Sequence, residues 1–172
     1  MLSATAALGA SLLAAGPVHA ATAPQAAAVP QQATLVSAKA KVTAAQKSKQ
    51  KKRAAKAVSY AYKQIGDPYR YGGTGPGSWD CSGLAGGSWR KAGVKLPRTT
   101  TQIYKKLKKH KVSWKGAVKG DLLFFYSGKS HMGIYVGNGY MIHAPSSGKK
   151  VKKIKLTKYY KRNFSGAVRP GY

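Results

Sequence analysis

Trp79-Asp80-Cys81-Ser82-Gly83-Leu84 decides how this chain is read. It follows a glycine- and proline-rich loop, Gly72 to Ser78, and opens a run to Ala92 that suits a helix closed by Gly93. Cys81 is the only cysteine, so it has no partner within its own chain. The spacing puts it at the N-terminus of that helix. There the positive end of the helix dipole and free backbone N–H groups are expected to lower a thiol pKa. Gly83, Gly86 and Gly87 weigh against the helix, each costing about 1 kcal/mol relative to alanine.

Upstream, Ala57, Tyr60, Ala61, Gln64 and Ile65 form a helical face that Gly66-Asp67-Pro68 ends. Tyr69-Arg70-Tyr71 reads as short and extended. Downstream, Thr99 to Lys109 predicts a helix with a threonine cap. The period then changes. Asp121 to Tyr126, Met132 to Val136 and Tyr140 to His143 read as strands, with turns at Gly128 to Ser130 and Gly137-Asn138-Gly139. Val151 to Leu156 and Gly166 to Arg169 offer further strands. Helices first and strands second predict an α+β fold, with helices packed on an antiparallel sheet.

His131 and His143 flank the central hairpin. Alternation puts His131, Gly133 and Tyr135 on one side of a strand. With a three-residue turn, Gly133 lies opposite His143 and the two histidines share a face, about 7–8 Å apart. A two-residue Asn138-Gly139 turn puts His143 on the other face. A lone thiol with a histidine base and a second polar group to orient that base is a nucleophilic constellation. The plainer alternative is a buried, inert cysteine and two edge histidines. One cysteine and two histidines lack metal-ligand spacing. Gly133 is expected to leave room for the cysteine-bearing helix to approach.

The 172-residue chain has a net charge of +28, and its only acids are Asp67, Asp80 and Asp121. Such a charge attracts polyanions and repels itself, which favours a monomer. Residues 1–20 read as a secretory signal peptide: an alanine-rich apolar run, then Val18-His19-Ala20 as a small-residue cleavage site. Residues 21–53 read as an Ala/Lys-rich basic linker or arm, and residues 54–172 as the folded domain. In an exported chain an odd cysteine points to a reactive thiol.

Several motifs in order resemble the NlpC/P60 family of papain-like cell-wall cysteine peptidases: Gly66-Asp67-Pro68-Tyr69-Arg70-Tyr71-Gly72-Gly73, Asp80-Cys81-Ser82-Gly83-Leu84, Leu96-Pro97-Arg98-Thr99, Gly120-Asp121-Leu122-Leu123-Phe124-Phe125, His131-Met132-Gly133-Ile134-Tyr135-Val136-Gly137-Asn138-Gly139 and Met141-Ile142-His143-Ala144-Pro145. The resemblance implies Cys81 as nucleophile, His131 as base and His143 as the residue that orients it. It implies Tyr69 near the oxyanion, and Asp80 and Ser82 binding the free amine of a stem peptide. It also implies a nucleophile at a helix N-terminus, and no metal or cofactor. Ala85-Gly86-Gly87 departs from the bulkier apolar residues usual after the nucleophile, and predicts weaker packing there.

The expected function is a secreted or wall-associated peptidoglycan endopeptidase that cuts stem peptides next to γ-D-glutamate, before diaminopimelate or lysine. Its basic surface would bind anionic wall polymers; no specific nucleic acid partner is expected. Two rivals stand beside it. One is a cationic polyanion-binding wall protein with an inert cysteine. The other is a Cys-His amidase or acyltransferase acting on a different substrate.

Overall fold

The computed structural model describes residues 30–172, with side-chain surroundings from residue 43 onward. The expected signal peptide and the first part of the basic arm lie outside the described residues. Helix α1, Pro30–Lys63, runs unbroken through the point where arm was expected to give way to domain. Its Ala/Lys/Gln composition favours helix, and its last turns enter the core. Ala54, Ala57, Val58 and Ala61 are buried at helical spacing. The anchorage reaches further back: Gln50 Nε2 donates to the Pro170 carbonyl (3.2 Å) and Arg53 to the Gly171 carbonyl (3.1 Å). The C-terminal tail is thereby held against the arm.

Helix α2, Cys81–Lys91, begins where Asp80 caps it, and Arg90 and Lys91 fill its last turn, where cations suit the dipole. Helix α3, Thr100–Lys106, carries a full capping box between Thr99 and Gln102. It stops earlier than expected, and a 3-10 turn covers Lys108–His110.

Six strands follow: β1 Lys111–Val112, β2 Leu122–Phe125, β3 His131–Gly137, β4 Tyr140–His143, β5 Lys152–Lys155 and β6 Phe164–Val168, with helix α4, Lys158–Arg162, before the last. They form one antiparallel sheet in the order β1-β6-β2-β3-β4-β5. Alternation divides it cleanly. Leu122, Phe124, Met132, Ile134 and Ile142 join the helices in the main core. Leu123, Phe125, Met141 and Ala167 form a second cluster on the other face, covered by Trp114, Tyr160 and Phe164. The α+β expectation holds.

The packing lost at Gly87 is made good by Trp79, while Gly86 faces open space. The indole is fully buried. A Cβ on Gly87 would come within 2.5 Å of it, and one on Gly83 would strike the Gly73 carbonyl. Ala85 is also fully buried. Trp79 Nε1 donates to Asp67 (2.8 Å), tying the loop before α2 to the end of α1. The acids all have structural partners. Asp121 receives Arg169 at 2.8 and 2.9 Å and the Val118 N–H at 2.7 Å.

Candidate active site

Asp80 has the extended backbone of an N-cap (φ −96°, ψ 176°) and accepts the Gly83 N–H at 2.7 Å. Cys81 is therefore the first helical residue, where backbone N–H groups have no helical acceptor. Helix α2 packs on β3, and the thiol meets the Met132 backbone N–H. His131 is the residue just before it, so the thiol and this histidine come to the same end of β3.

His131 Nε2 and His143 Nδ1 are hydrogen-bonded at 2.8 Å, with the rings nearly perpendicular. The turn between their strands reconciles the two registers considered from sequence. Gly137 pairs with Tyr140 across a two-residue Asn138-Gly139 turn, and both turn residues have positive φ, 52° and 74°. A bulge between Tyr135 and Gly137 then restores the pairing Tyr135 to Met141 and Ile134 to Ile142. Continuing that register sets Gly133 opposite His143, so the histidines share a face despite the short turn.

Gly133 does not make room for the helix, contrary to expectation. Met132, Ile134 and Val136 face the helices, and Gly133 faces the other way. A Cβ there would meet Met141 Sδ at 2.6 Å and His143 Cβ at 3.3 Å. Its absence lets the two histidines close on each other.

The hydrogen bond constrains the tautomers. For His131 to take a proton at Nδ1, its Nε2–H must donate to His143 Nδ1. His143 Nε2 then carries a proton. That atom is buried and has no hydrogen-bond partner among the described residues; the Tyr160 ring stands perpendicular to the imidazole, 6.4 Å between centroids.

Tyr69, Asp80, Cys81, Ser82, Arg98 and Ser130 help line a cavity of about 400 Å³ at the mouth of the site. The structure thus brings Tyr69, Asp80, Cys81 and Ser82 to one cavity, while His131 and His143 meet each other on the strands. It adds one whose role the sequence reading missed. Arg98 forms an ion pair with Asp80 and donates to Ser82 Oγ at 2.9 Å. Ser82 Oγ in turn donates to Asp80 Oδ1 at 3.0 Å. Arg98 sat within the Leu96-Pro97-Arg98-Thr99 motif; the scarcity of acids was the signal that a nearby arginine would seek Asp80.

The resting charge state follows from burial. Desolvation holds the His131 pKa down at about 4. Desolvation, with the neighbouring imidazole and Lys152 and Lys149, holds His143 at about 3. Burial, and then the Asp80 charge, push the Cys81 thiol up; the backbone N–H groups of Met132 and Ser82 oppose this without prevailing. The expected depressed thiol is therefore corrected: helix placement is outweighed by desolvation and a neighbouring carboxylate. Asp80 itself is also penalised by burial, but the Arg98 and Gly83 hydrogen bonds win and lower its pKa. These directions favour a neutral thiol and neutral imidazoles at rest. A neutral imidazole within reach of a thiol can take its proton as the sulfur attacks.

A sequence model of the NlpC/P60 family matches residues 66–169. A probable endopeptidase p60 of Listeria monocytogenes is 44% identical over 99 residues, which is 56% of this chain and 20% of that protein. The bifunctional muramidase/DL-endopeptidase CwlT of Bacillus subtilis is 46% identical over 101 residues, covering 55% of this chain and 30% of that one. The chain thus spans less than a third of the length of either relative. Among solved structures, the NlpC/p60 domain of the peptidoglycan hydrolase SagA superposes with a TM-score of 0.60 at 35% identity, over 67% of this chain and 97% of that domain.

Proposed function

The chain belongs to the NlpC/P60 family, and on that premise we propose that it is a secreted peptidoglycan endopeptidase with Cys81 as nucleophile. The bond cut is the amide between γ-D-glutamate and diaminopimelate or lysine. The observation that carries this reading is a thiol at a helix N-terminus, meeting β3 beside a histidine that is hydrogen-bonded to a second histidine.

The chemistry divides into two halves. His131 takes the thiol proton as sulfur attacks the γ-carbonyl. The tetrahedral intermediate collapses, His131 protonates the departing amine, and a thioester remains on Cys81. Water attacks that thioester with His131 again as base, releasing the carboxylate and restoring the thiol. His143 holds the base in the tautomer that leaves Nδ1 free. Tyr69 lies close enough for the Cys81 charge to act on it, which suits a hydroxyl directed at the developing oxyanion.

Residues 1–20 serve as the export signal, and residues 21–53 as a basic tether for anionic wall polymers. Retention on walls is then expected to weaken steeply with salt. The test of the reaction is amine release from L-Ala-γ-D-Glu–diaminopimelate and from its lysine analogue. Wild-type protein releases it; Cys81→Ser and His131→Ala do not. Release that survives either substitution contradicts the assignment.

A further inference from the structure

A groove of about 430 Å³ runs along α1 where that helix passes Ala92, the C-cap of α2. Lys49, Lys52, Arg53 and Lys56 line it, together with the small side chains of Ala45 and Ser48. Among the described residues no acid and no aromatic ring lines it. It shares no residue with the cavity that holds Cys81.

The helix repeat explains the row of cations. Positions 49, 52, 53 and 56 fall on one stripe, about 10 Å long at the helical rise per residue. Lys49 neighbours Lys52 and Arg53, and Lys56 neighbours the same two, all pairs of like charge that oppose the helix. No acid offsets them. Asp80 pairs with Arg98 and Asp121 with Arg169, while Asp67 accepts from Trp79. The opposite side of the same turns is nevertheless fixed to the domain. Gln50 and Arg53 donate to the Pro170 and Gly171 carbonyls, and Ala54, Ala57 and Val58 are buried. Packing on one side thus holds like charges side by side on the other, an arrangement that a bound anion relieves. The negative end of α2 reaches the groove at Ala92, but Arg90 and Lys91 in its last turn offset it.

Deepening the wall-binding reading above, on which this rests, we propose that the groove is a docking site for a phosphodiester polymer of the glycerol-phosphate type, lying along α1 from Lys49 to Lys56. Its repeated phosphates meet a row of ammonium groups, and the Arg53 guanidinium suits the paired oxygens of one phosphate. Ala45, Ser48 and Ala92 let a thin polyol backbone come close to the helix. A single-stranded nucleic acid gains less, because the groove offers no aromatic ring on which bases could stack. The wall contact is then a preformed surface on the catalytic domain rather than a diffuse attraction to the whole basic arm.

The test is calorimetric titration of the full-length protein with a short, unsubstituted glycerol-phosphate oligomer over a series of salt concentrations. Lys52→Gln/Lys56→Gln should weaken binding roughly ten-fold and lower the slope of log affinity against log salt by about 2, one for each lost phosphate contact. Lys108→Gln/Lys109→Gln removes two exposed lysines elsewhere and leaves the same net charge; it should change affinity less than about two-fold if contact rather than net charge governs binding. Equal losses in the two variants would show diffuse attraction and overturn the proposal. So would failure of the oligomer to bind wild type, or tighter groove-dependent binding of a single-stranded oligonucleotide of equal charge. Failure of the endopeptidase reading is seen separately, as absence of Cys81-dependent amine release from the soluble stem peptide, which Lys52→Gln/Lys56→Gln should leave at the wild-type rate.

Discussion

Replacing Asp80 by asparagine separates two roles that one carboxylate performs. Its Oδ1 caps α2 through the 2.7 Å bond from Gly83, and an asparagine oxygen caps about as well. Its charge does something else: it pairs with Arg98 and holds the Cys81 thiol up. Arg98 is 42% exposed, so its guanidinium can turn to water, and the lost pair is worth about 1 kcal/mol at most. Asp80→Asn should therefore destabilise by about 1 kcal/mol, near 3–4 °C in Tm for a chain of this size. Asp80→Ala also loses the cap, about 1 kcal/mol, and the Ser82 hydrogen bond, about 1 kcal/mol more. Its total is about 3 kcal/mol. The thiol should respond in the opposite sense. Removing the carboxylate and freeing Arg98 both favour the thiolate, so iodoacetamide should modify Cys81 faster at pH 7.5 in Asp80→Asn than in wild type. Thermal melts and alkylation followed by intact mass read both effects. Equal destabilisation by Asn and Ala would refute the cap assignment; unchanged or slower alkylation would refute the electrostatic one.

Three further expectations can be checked together. Gly83→Ala drives a methyl into the Gly73 carbonyl and should cost about 3 kcal/mol, whereas Gly86→Ala, with open space around it, should be neutral or stabilising by up to about 1 kcal/mol; urea melts of the two decide this. Both histidines have folded pKa values below the ordinary 6.5, about 4 and about 3, so the stability they contribute is complete above pH 6.5 and is lost as pH falls toward 4 and then 3. Each should contribute up to about 1.4 kcal/mol per pH unit in that window, a slope that His143→Asn should reduce. His143→Ala leaves the His131 Nε2–H without its acceptor and should lower kcat by on the order of 10²-fold with KM little changed, and Asn, whose oxygen can accept that hydrogen, should recover part of the rate.

The sequence carried the family and the fold class further than it carried the local geometry. The placement of Cys81 at a helix start and of His131 and His143 on neighbouring strands was legible, because a lone thiol before a helical run and histidines in alternating strands are unusual residue types in readable patterns. The shared face of the histidines was not, because it depends on a bulge at Val136, and bulges leave no periodic mark. Strand β1, two residues long, and α4, five residues of a Lys/Tyr run, are too short for periodicity to register. Gly87 read as a weakness because its partner, Trp79, lies before the helix and reaches it only through the loop. Gln50 looked like part of a solvated arm, since nothing local signals a contact 120 residues away in the tail. The thiol pKa was misread for a related reason. A helix terminus is visible in sequence, but the burial that overrides it is not.

The most direct test of the central claim is mass spectrometry of peptidoglycan sacculi after incubation with wild-type protein and with Cys81→Ser. The account predicts fragments ending in D-glutamate with wild type and none with the variant. Intact stem peptides with wild-type protein whose Cys81 is verified as reduced, or equal cleavage by the variant, would contradict it.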